Sequence, residues 1–574
     1  MANRALFKSA AHKAPIADAV NSHNAPAYAL APKEALAQYV LTGCLNGTFY
    51  ADAEDQLASI LDLASKCGPE YVAKLAIYAR EHGYMKDAPA LLVAWLAAAE
   101  VTTKTNFLAL AFPRVIDNAK MLANFVQIVR SGVTGRKSLG SRPKRLIENW
   151  FASRNDNQLF RASIGVAAPS LADVIRMVHP DPKRIYAGPL PETAAPVLSR
   201  RALYGYLSGR NKPQNAVDAS KLPPLVQKYE AFKAWLASTA PDGPIGEKLR
   251  ENGFKASTVD AVEMPDVPHQ ALTALALRPE HWKQIARNMQ WTATRMNLNT
   301  MLRHDVFKDR EMVQLIADRL RDRAQMEQAR VFPYQILAAY TATKNAGAMP
   351  REIIDALHDA MEIATESVPQ IDGRVVICVD VSGSMHSPVT GVRKGATSSV
   401  MCTEAAAVMA ASILRRNRGA EVIVFSSQVH EKARFEPRDS VLTNAERMAN
   451  EPAGGTNCSA PIAMLNAKGA RPDLVIMLSD YESWCDSTGT QIRSTMGDPT
   501  AMMREWNSLR ARHHSAKLVC IDLQPNDTVQ AQTRPDVLNV GGFSDHVFAV
   551  VADFARGDFE GFSWTKRVEA VTFS

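Results

Sequence analysis

Cysteine is scarce. The 574 residues hold seven, an odd number with no Cys-x-x-Cys pair, which argues against a disulfide framework and a zinc ribbon and leaves buried thiols as the expectation. Long hydrophobic runs are absent too: the longest apolar stretch, residues 88–99, is well short of the roughly 20 residues of a membrane-spanning helix. The N-terminus has basic residues (Arg4, Lys8, Lys13) but no apolar core leading to a small-residue cleavage site, so no secretory leader is expected and the location is read as cytoplasmic. No Gly-x-Ser-x-Gly elbow, no Gly-x-x-x-x-Gly-Lys-Ser/Thr loop and no His-Glu-x-x-His helix occurs, so the common hydrolase, nucleotide and zinc-protease routes lack support.

What is present is ordinary for a soluble globular protein, at 47% apolar and 22% charged with a formal net charge of +7. That composition excludes a collagen-like or wholly disordered chain. The length predicts two to four domains, or fewer if a helical solenoid is among them.

The chain has two grammars. Up to about residue 370, Ala-rich and Leu-rich runs keep a three-to-four-residue apolar spacing (57–64, 72–80, 90–100), broken by Gly68-Pro69, Pro180 with Pro182, Pro223-Pro224 and 241–244. This predicts helices in series, stacked as a solenoid, with no strand. After Pro369, β-branched runs at 375–379, 422–425, 474–478 and 518–521 alternate with helical segments near 403–416, 460–468 and 500–513. Alternation of that kind predicts a doubly wound α/β domain. The expected division is residues 1–368 and 369–574.

Charge is local. Residues 101–250 carry 23 Lys+Arg against 10 Asp+Glu, a net +13, while 1–100, 251–370 and 371–574 are each −2. A field of one sign favours a polyanion, and nucleic acid is the commonest inside a cell. Arg130, Arg136, Lys137, Arg142, Lys144 and Arg145 fall in one acid-free stretch, where Gly132, Gly135 and Gly140 let the backbone approach phosphates. Arg161, Arg176, Lys183, Arg184, Arg200, Arg201, Arg210 and Lys212 continue the field. Aromatics interleave thinly (Trp150, Phe151, Phe160, Tyr186, Tyr204, Tyr206), and most are expected in the core. Arg319, Arg321, Arg323 and Arg330 form a second cluster, read as helix charges paired with Asp318, Asp322 and Glu327.

In the C-terminal half the strand at 375–379 runs into Asp380-Val381-Ser382-Gly383-Ser384. A strand ending in oxygen-bearing side chains lies at the carboxyl edge of an α/β sheet, where ligand crevices form. Thr456, after Gly454-Gly455, and Asp480, after Ser479, would bring two more loops to the same place. Hydroxyls with few carboxylates suit a hard cation, octahedral Mg²⁺ above Ca²⁺, or another divalent ion. Ser382 and Ser384 would bind directly, Thr456 would add a hydroxyl, and Asp380 and Asp480 would carry the charge. Glu482 and Asp486 are candidates for supporting or alternative ligands.

This string resembles the metal-ion-dependent adhesion site of von Willebrand factor A domains, in which an open coordination position often accepts a partner's acidic group. Residues 39–50 (YVLTGCLNGTFY) look like the signature near the start of the TROVE module of Ro autoantigen proteins, with Asn46-Gly47 in place of Gly-Gly. Residues 86–92 (KDAPALL), 282–296 and 329–337 (ARVFPYQIL) are similar to later stretches of that module, in the same order. Pro169-Ser170-Leu171 stands where the family commonly has Trp-Ser-His. The resemblance implies a monomeric ring of HEAT-like helical repeats followed by the A domain. It also implies a noncatalytic role, binding small Y-like noncoding RNA and single-stranded ends of misfolded RNAs, with an exoribonuclease or RNA-repair proteins as partners and no membrane. Two alternatives stand beside it: an interaction scaffold whose metal grips a partner carboxylate, and a Mg²⁺-dependent phosphoryl-transfer enzyme.

Overall fold

The computed structural model describes residues 14–42, 45–46, 48–99, 105–165, 168–185, 188–209, 218–239, 247, 251, 262–344, 347–392, 400–485, 490–491, 498–542, 545–557 and 565–573. They fall into two compact units, Met1–Pro89 with Gln290–Asn299 and Val313–Ser574, and Ala90–Met289 with Thr300–Met312. This division does not follow the change of grammar at 368/369. Among the described residues no helix is long and apolar enough to cross a membrane.

The first unit is built on a five-stranded parallel sheet in the order Val537–Gly541, Lys517–Asp522, Leu474–Ser479, Val375–Asp380, Glu421–Phe425. The two middle strands are buried along their whole length, as strands covered by helices on both faces must be. From Val375–Asp380 the chain passes first to Glu421–Phe425 on one side and later to Leu474–Ser479 on the other. The strand order therefore reverses between Asp380 and Ser479, and a crevice opens at the carboxyl ends there. Tyr28, Met477, Tyr481 and Trp506 belong to the apolar core of this unit.

Helices of the first 368 residues also belong to this unit. Ala53–Cys67 starts under Asp52, whose carboxylate accepts from Glu54 and Asp55 N–H, and ends at Gly68 (φ 80°). Pro69 then opens Pro69–Glu81, where its missing N–H costs nothing. Arg351–Thr365 is joined to the α/β part by Glu362, which takes Arg415 Nε at 2.9 Å and Val441 N–H at 2.9 Å.

Strands do occur early in the chain, contrary to the all-helical expectation. Pro26–Ala29 pairs with Ala19–Val20 on one side and Thr528–Val529 on the other, both antiparallel. The segment holding them is too short and too mixed to show a period of two. Arg184–Ile185 and Gly188–Pro189 form a further two-stranded pair.

The second unit is helical, with Phe107–Val115, Ala119–Ser131, Ser141–Ala152, Asp156–Ser163, Leu171–Val178, Ala195–Leu207 and Pro224–Thr239 in series. Asn155 with Gln158, and Ser170 with Asp173, close reciprocal capping boxes at two of the helix starts. Ser170, in the stretch where the family's Trp-Ser-His was sought, is thus a helix cap.

Candidate metal centre and nucleic-acid interface

Asp380 ends its strand with both carboxylate oxygens engaged: Oδ1 accepts Ser382 N–H at 2.8 Å and Oδ2 accepts Ser479 Oγ–H at 2.5 Å. Ser382 Oγ lies 3.3 Å from Ser384 Oγ, and the Ser384 hydroxyl opposes the rise that burial imposes on the Asp480 carboxyl. Gly383 N–H donates to Gly454 O at 3.0 Å, tying the first loop to the one that carries Thr456. Trp484 N–H donates to Thr456 O at 3.1 Å, tying that loop to the third. The three loops drawn from the sequence therefore converge.

Asp380, Ser382 and Asp480 are wholly buried, and Thr456 and Ser384 nearly so. Burial, and then the charge of Asp480, push the Asp380 carboxyl up; burial does the same to Asp480. Two adjacent carboxylates in low dielectric are costly unless a positive charge joins them. Asp480 Oδ1 is moreover buried without a hydrogen-bond partner among the described residues. Among the described residues no group of three or more His, Cys, Asp or Glu gathers as a ligand set, here or elsewhere, so the candidate donors here are two carboxylates and three hydroxyls. An unpartnered carboxylate oxygen beside hydroxyls, with no thiolate or imidazole in the set, fits a hard divalent cation.

Tyr50 was missed as a site residue. Its hydroxyl lies 3.3 Å from Asp480 Oδ2, and it packs edge-on against His23, which in turn meets Trp484. The 39–50 signature was visible in the sequence, but nothing in its spacing tied its last residue to a loop 430 positions away. Glu482 is held by the early segment of the chain: its Oε2 accepts Ser22 N–H at 3.0 Å and Ser22 Oγ–H at 2.6 Å. Asp486 lies outside the described residues.

In the second unit the basic field sorts by what each cation already holds. Arg200 is a correction. It is 2% exposed, bound to Asp156 at 2.5 Å and to the carbonyls of Phe151 and Arg154, so it cannot reach a phosphate. Arg136 donates to Ser138 O and Ala97 O, each at 2.8 Å, and spends its guanidinium on the fold. Arg161 is held by Asp266, Arg176 by Asp173 and Ser208 O, Lys183 by Glu192, and Arg184 by Glu148 and Asn149. Arg130 donates to Met177 Sδ.

Lys137, Arg142, Lys144 and Arg145 keep their charges free, with no side-chain hydrogen bond or ion pair among the described residues. Arg201 is exposed beside the Lys183–Glu192 pair. Three of the free cations lie in the first turns of Ser141–Ala152, which begins at Gly140 with no capping side chain and no acid. Unpaired N–H groups and cations at one helix start make an anion-attracting surface. Trp150, Phe151, Phe160 and Tyr204 are buried, so they offer no stacking face; Tyr186, Arg210 and Lys212 lie outside the described residues.

Comparison with known proteins assigns the two parts of the chain to domain families. The TROVE domain family matches residues 45–353 and the Ro60 vWA domain family residues 374–555. RNA-binding protein RO60 of Deinococcus radiodurans is 24% identical over 564 residues, covering 92% of this chain and 94% of that protein. RNA-binding protein RO60 of Caenorhabditis elegans is 23% identical over 258 residues, 43% of this chain and 38% of its own length. The crystal structure of the Deinococcus radiodurans RO (RSR) protein superposes with a TM-score of 0.59 at 20% identity, covering 92% of this chain and 100% of that one, which shows a shared fold. With the TROVE match spanning more than half of its length and the Ro60 vWA match following it, the chain belongs to the Ro family of TROVE-domain proteins.

Proposed function

We propose that the chain is a noncatalytic RNA-binding protein that holds RNA phosphates on its basic helical segment and a divalent cation, Mg²⁺ by donor chemistry, on its A domain. The observation that carries the RNA reading is the set of four unpartnered cations, Lys137, Arg142, Lys144 and Arg145, on a glycine loop and an uncapped helix start. The names of the two RO60 relatives, both RNA-binding proteins, support it. Small Y-like noncoding RNAs and the single-stranded ends of misfolded RNAs are the ligands we infer, with an exoribonuclease or RNA-repair proteins acting alongside.

For the cation, Asp380, Ser382, Ser384, Thr456 and Asp480 would hold it, and its chemistry there would be to neutralise two buried carboxylates and fix three loops. The alternative of a scaffold gripping a partner carboxylate gains little support from ligands this deeply covered, with Tyr50 beside them.

The test is the salt dependence of binding to a labelled RNA hairpin with a single-stranded tail. Log affinity should fall against log salt with a slope of about −0.7 per phosphate contacted on single strands and about −0.9 on duplex. Changing Lys137, Arg142, Lys144 and Arg145 together to Glu should weaken binding and flatten the slope, whereas Asp380→Ala should leave both nearly unchanged. Charge reversals without effect, combined with loss of binding in Asp380→Ala, would assign the RNA to the metal instead.

A further inference from the structure

A cavity of about 970 Å³ lies within the first unit, walled by Tyr78, Tyr84, Phe332, Arg323, Arg330 and Arg567. The second arginine cluster of the sequence ends here. Its pairing is mostly between elements: Arg321 takes Asp359 and Arg323 takes Glu366. Arg567, from the last helix, is spent on Asp553. Arg330 alone of the wall's arginines has no carboxylate among the described residues. Its guanidinium instead lies 5.1 Å from the centre of the Tyr84 ring.

Tyr84 and Arg330 both have left-handed backbones, φ 54° and φ 50°. Bulky residues pay for that conformation, and such strain gathers where a side chain must be aimed. The two face each other, and the Tyr84 ring continues to Phe332 at 5.5 Å between centroids. The wall thus combines an exposed planar cation with the half-buried Tyr84 ring, which Phe332 backs from the core. A purely apolar ligand would leave Arg330 desolvated and unpaired, and a bare anion would leave the aromatic wall without use. The wall's two acids, Glu327 and Glu366, leave it one positive charge in excess, with Glu366 already taken.

We propose that this cavity binds a nucleoside phosphate, its base against the Tyr84 ring and its phosphate on Arg330. A planar fork suits phosphate oxygens, and any base has a face that can stack. The cavity volume is ample for one nucleotide. The ligand has two sources, a free mononucleotide or the terminal nucleotide of an RNA strand. The site does not rest on the basic segment of the other unit.

The test is isothermal titration of the full chain with AMP, with adenosine and inorganic phosphate as half-ligands, and with a single-stranded adenosine tetranucleotide. One AMP should bind per chain, and more tightly than either half-ligand. Arg330→Gly and Tyr84→Asn, replacements that tolerate the left-handed backbone, should each weaken it about tenfold, with thermal melting confirming that both variants fold. A tetranucleotide bound more tightly than AMP, with the same sensitivity, identifies the strand end as the ligand; equal affinities identify the free nucleotide. Changing Arg142, Lys144 and Arg145 to Glu should leave AMP binding unaltered, which separates this site from the proposed RNA surface. Absence of AMP and tetranucleotide binding, binding unaffected in both cavity variants, or loss of AMP binding on those charge reversals would overturn the proposal.

Discussion

The Tyr50 hydroxyl donates to Asp480 Oδ2 across 3.3 Å, which places the end of an N-terminal signature on the carboxylate that closes the candidate metal centre. Burial, and then the charge of Asp480, hold the phenol up and keep it a donor. The other oxygen of Asp480 has no partner among the described residues. Mg²⁺ should therefore stabilise chelator-treated protein by about 2.7 kcal/mol at a hundredfold excess over Kd, and so raise its melting temperature. Asp480→Asn should abolish that increment. Tyr50→Phe should lower stability by about 1–3 kcal/mol, the cost of removing a donor from a buried charge, while keeping an increment with Mg²⁺. Scanning fluorimetry with EDTA and with Mg²⁺ checks all three, and a wild type indifferent to Mg²⁺ would remove the cation from the site.

Arg200→Ala should destabilise the chain by about 3–5 kcal/mol, because it leaves Asp156 without its cation and two carbonyls without a donor. Urea unfolding measures the loss. The salt slope of RNA binding by the variant, taken where it remains folded, should equal that of the wild type. A flattened slope would return Arg200 to the contact surface.

Gly140 has φ 65° and ψ −179°, a region almost confined to glycine, and an added Cβ would stand 1.8 Å from an Arg136 terminal nitrogen. Gly140→Ala should cost about 1–3 kcal/mol from backbone strain and should dislodge Arg136 from Ala97 O. A melting temperature equal to the wild type's would show that the loop relaxes at no cost.

Asp536 accepts from Trp506 Nε1 at 2.8 Å and from Arg534 at 2.7 Å, with Arg510 at 2.9 Å. Burial alone would raise its carboxyl, but the hydrogen bonds from Arg534 and Trp506 outweigh it and hold the group below the usual value. A carboxylate depressed in the folded state contributes stability that is complete above its unfolded pKa, about 3.9. That contribution is lost as pH falls through the lower folded value. On acidification downward from about pH 5, which starts above the unfolded value, the wild type should lose more stability than Asp536→Asn. Parallel urea curves across that range would contradict it.

Much of the α/β part was legible because buried parallel strands read as unbroken β-branched runs: 375–379, 474–478 and 518–521 appear in the structure as Val375–Asp380, Leu474–Ser479 and Lys517–Asp522. Val537–Gly541 escaped notice because Asn539 and Gly541 interrupt its apolar pattern. Val441–Ala449 was hidden by its polar residues, of which Asn444 is buried while Glu446 and Arg447 are not. The loop residues of the metal centre could be named because each directly follows a strand or a glycine pair. Tyr50 could not, since its partner is set by tertiary packing. The basic field was visible as a charge count, but a count does not distinguish a guanidinium closed on an aspartate, as at Arg200, from one facing solvent, as at Arg142.

The pairing of Pro26–Ala29 with Thr528–Val529 has a consequence for biosynthesis. A ribosome delivers the early strand some five hundred residues before Thr528–Val529, so the strand edge that faces those residues leaves the exit tunnel unpaired and stays so until they are made. Contacts this distant in sequence slow folding, and unpaired strand edges invite association with other nascent chains. The helical unit, Ala90–Met289 with Thr300–Met312, can close while the rest is still being made. The unit bearing the metal centre is assembled last, when the C-terminal strands emerge and take up the early one.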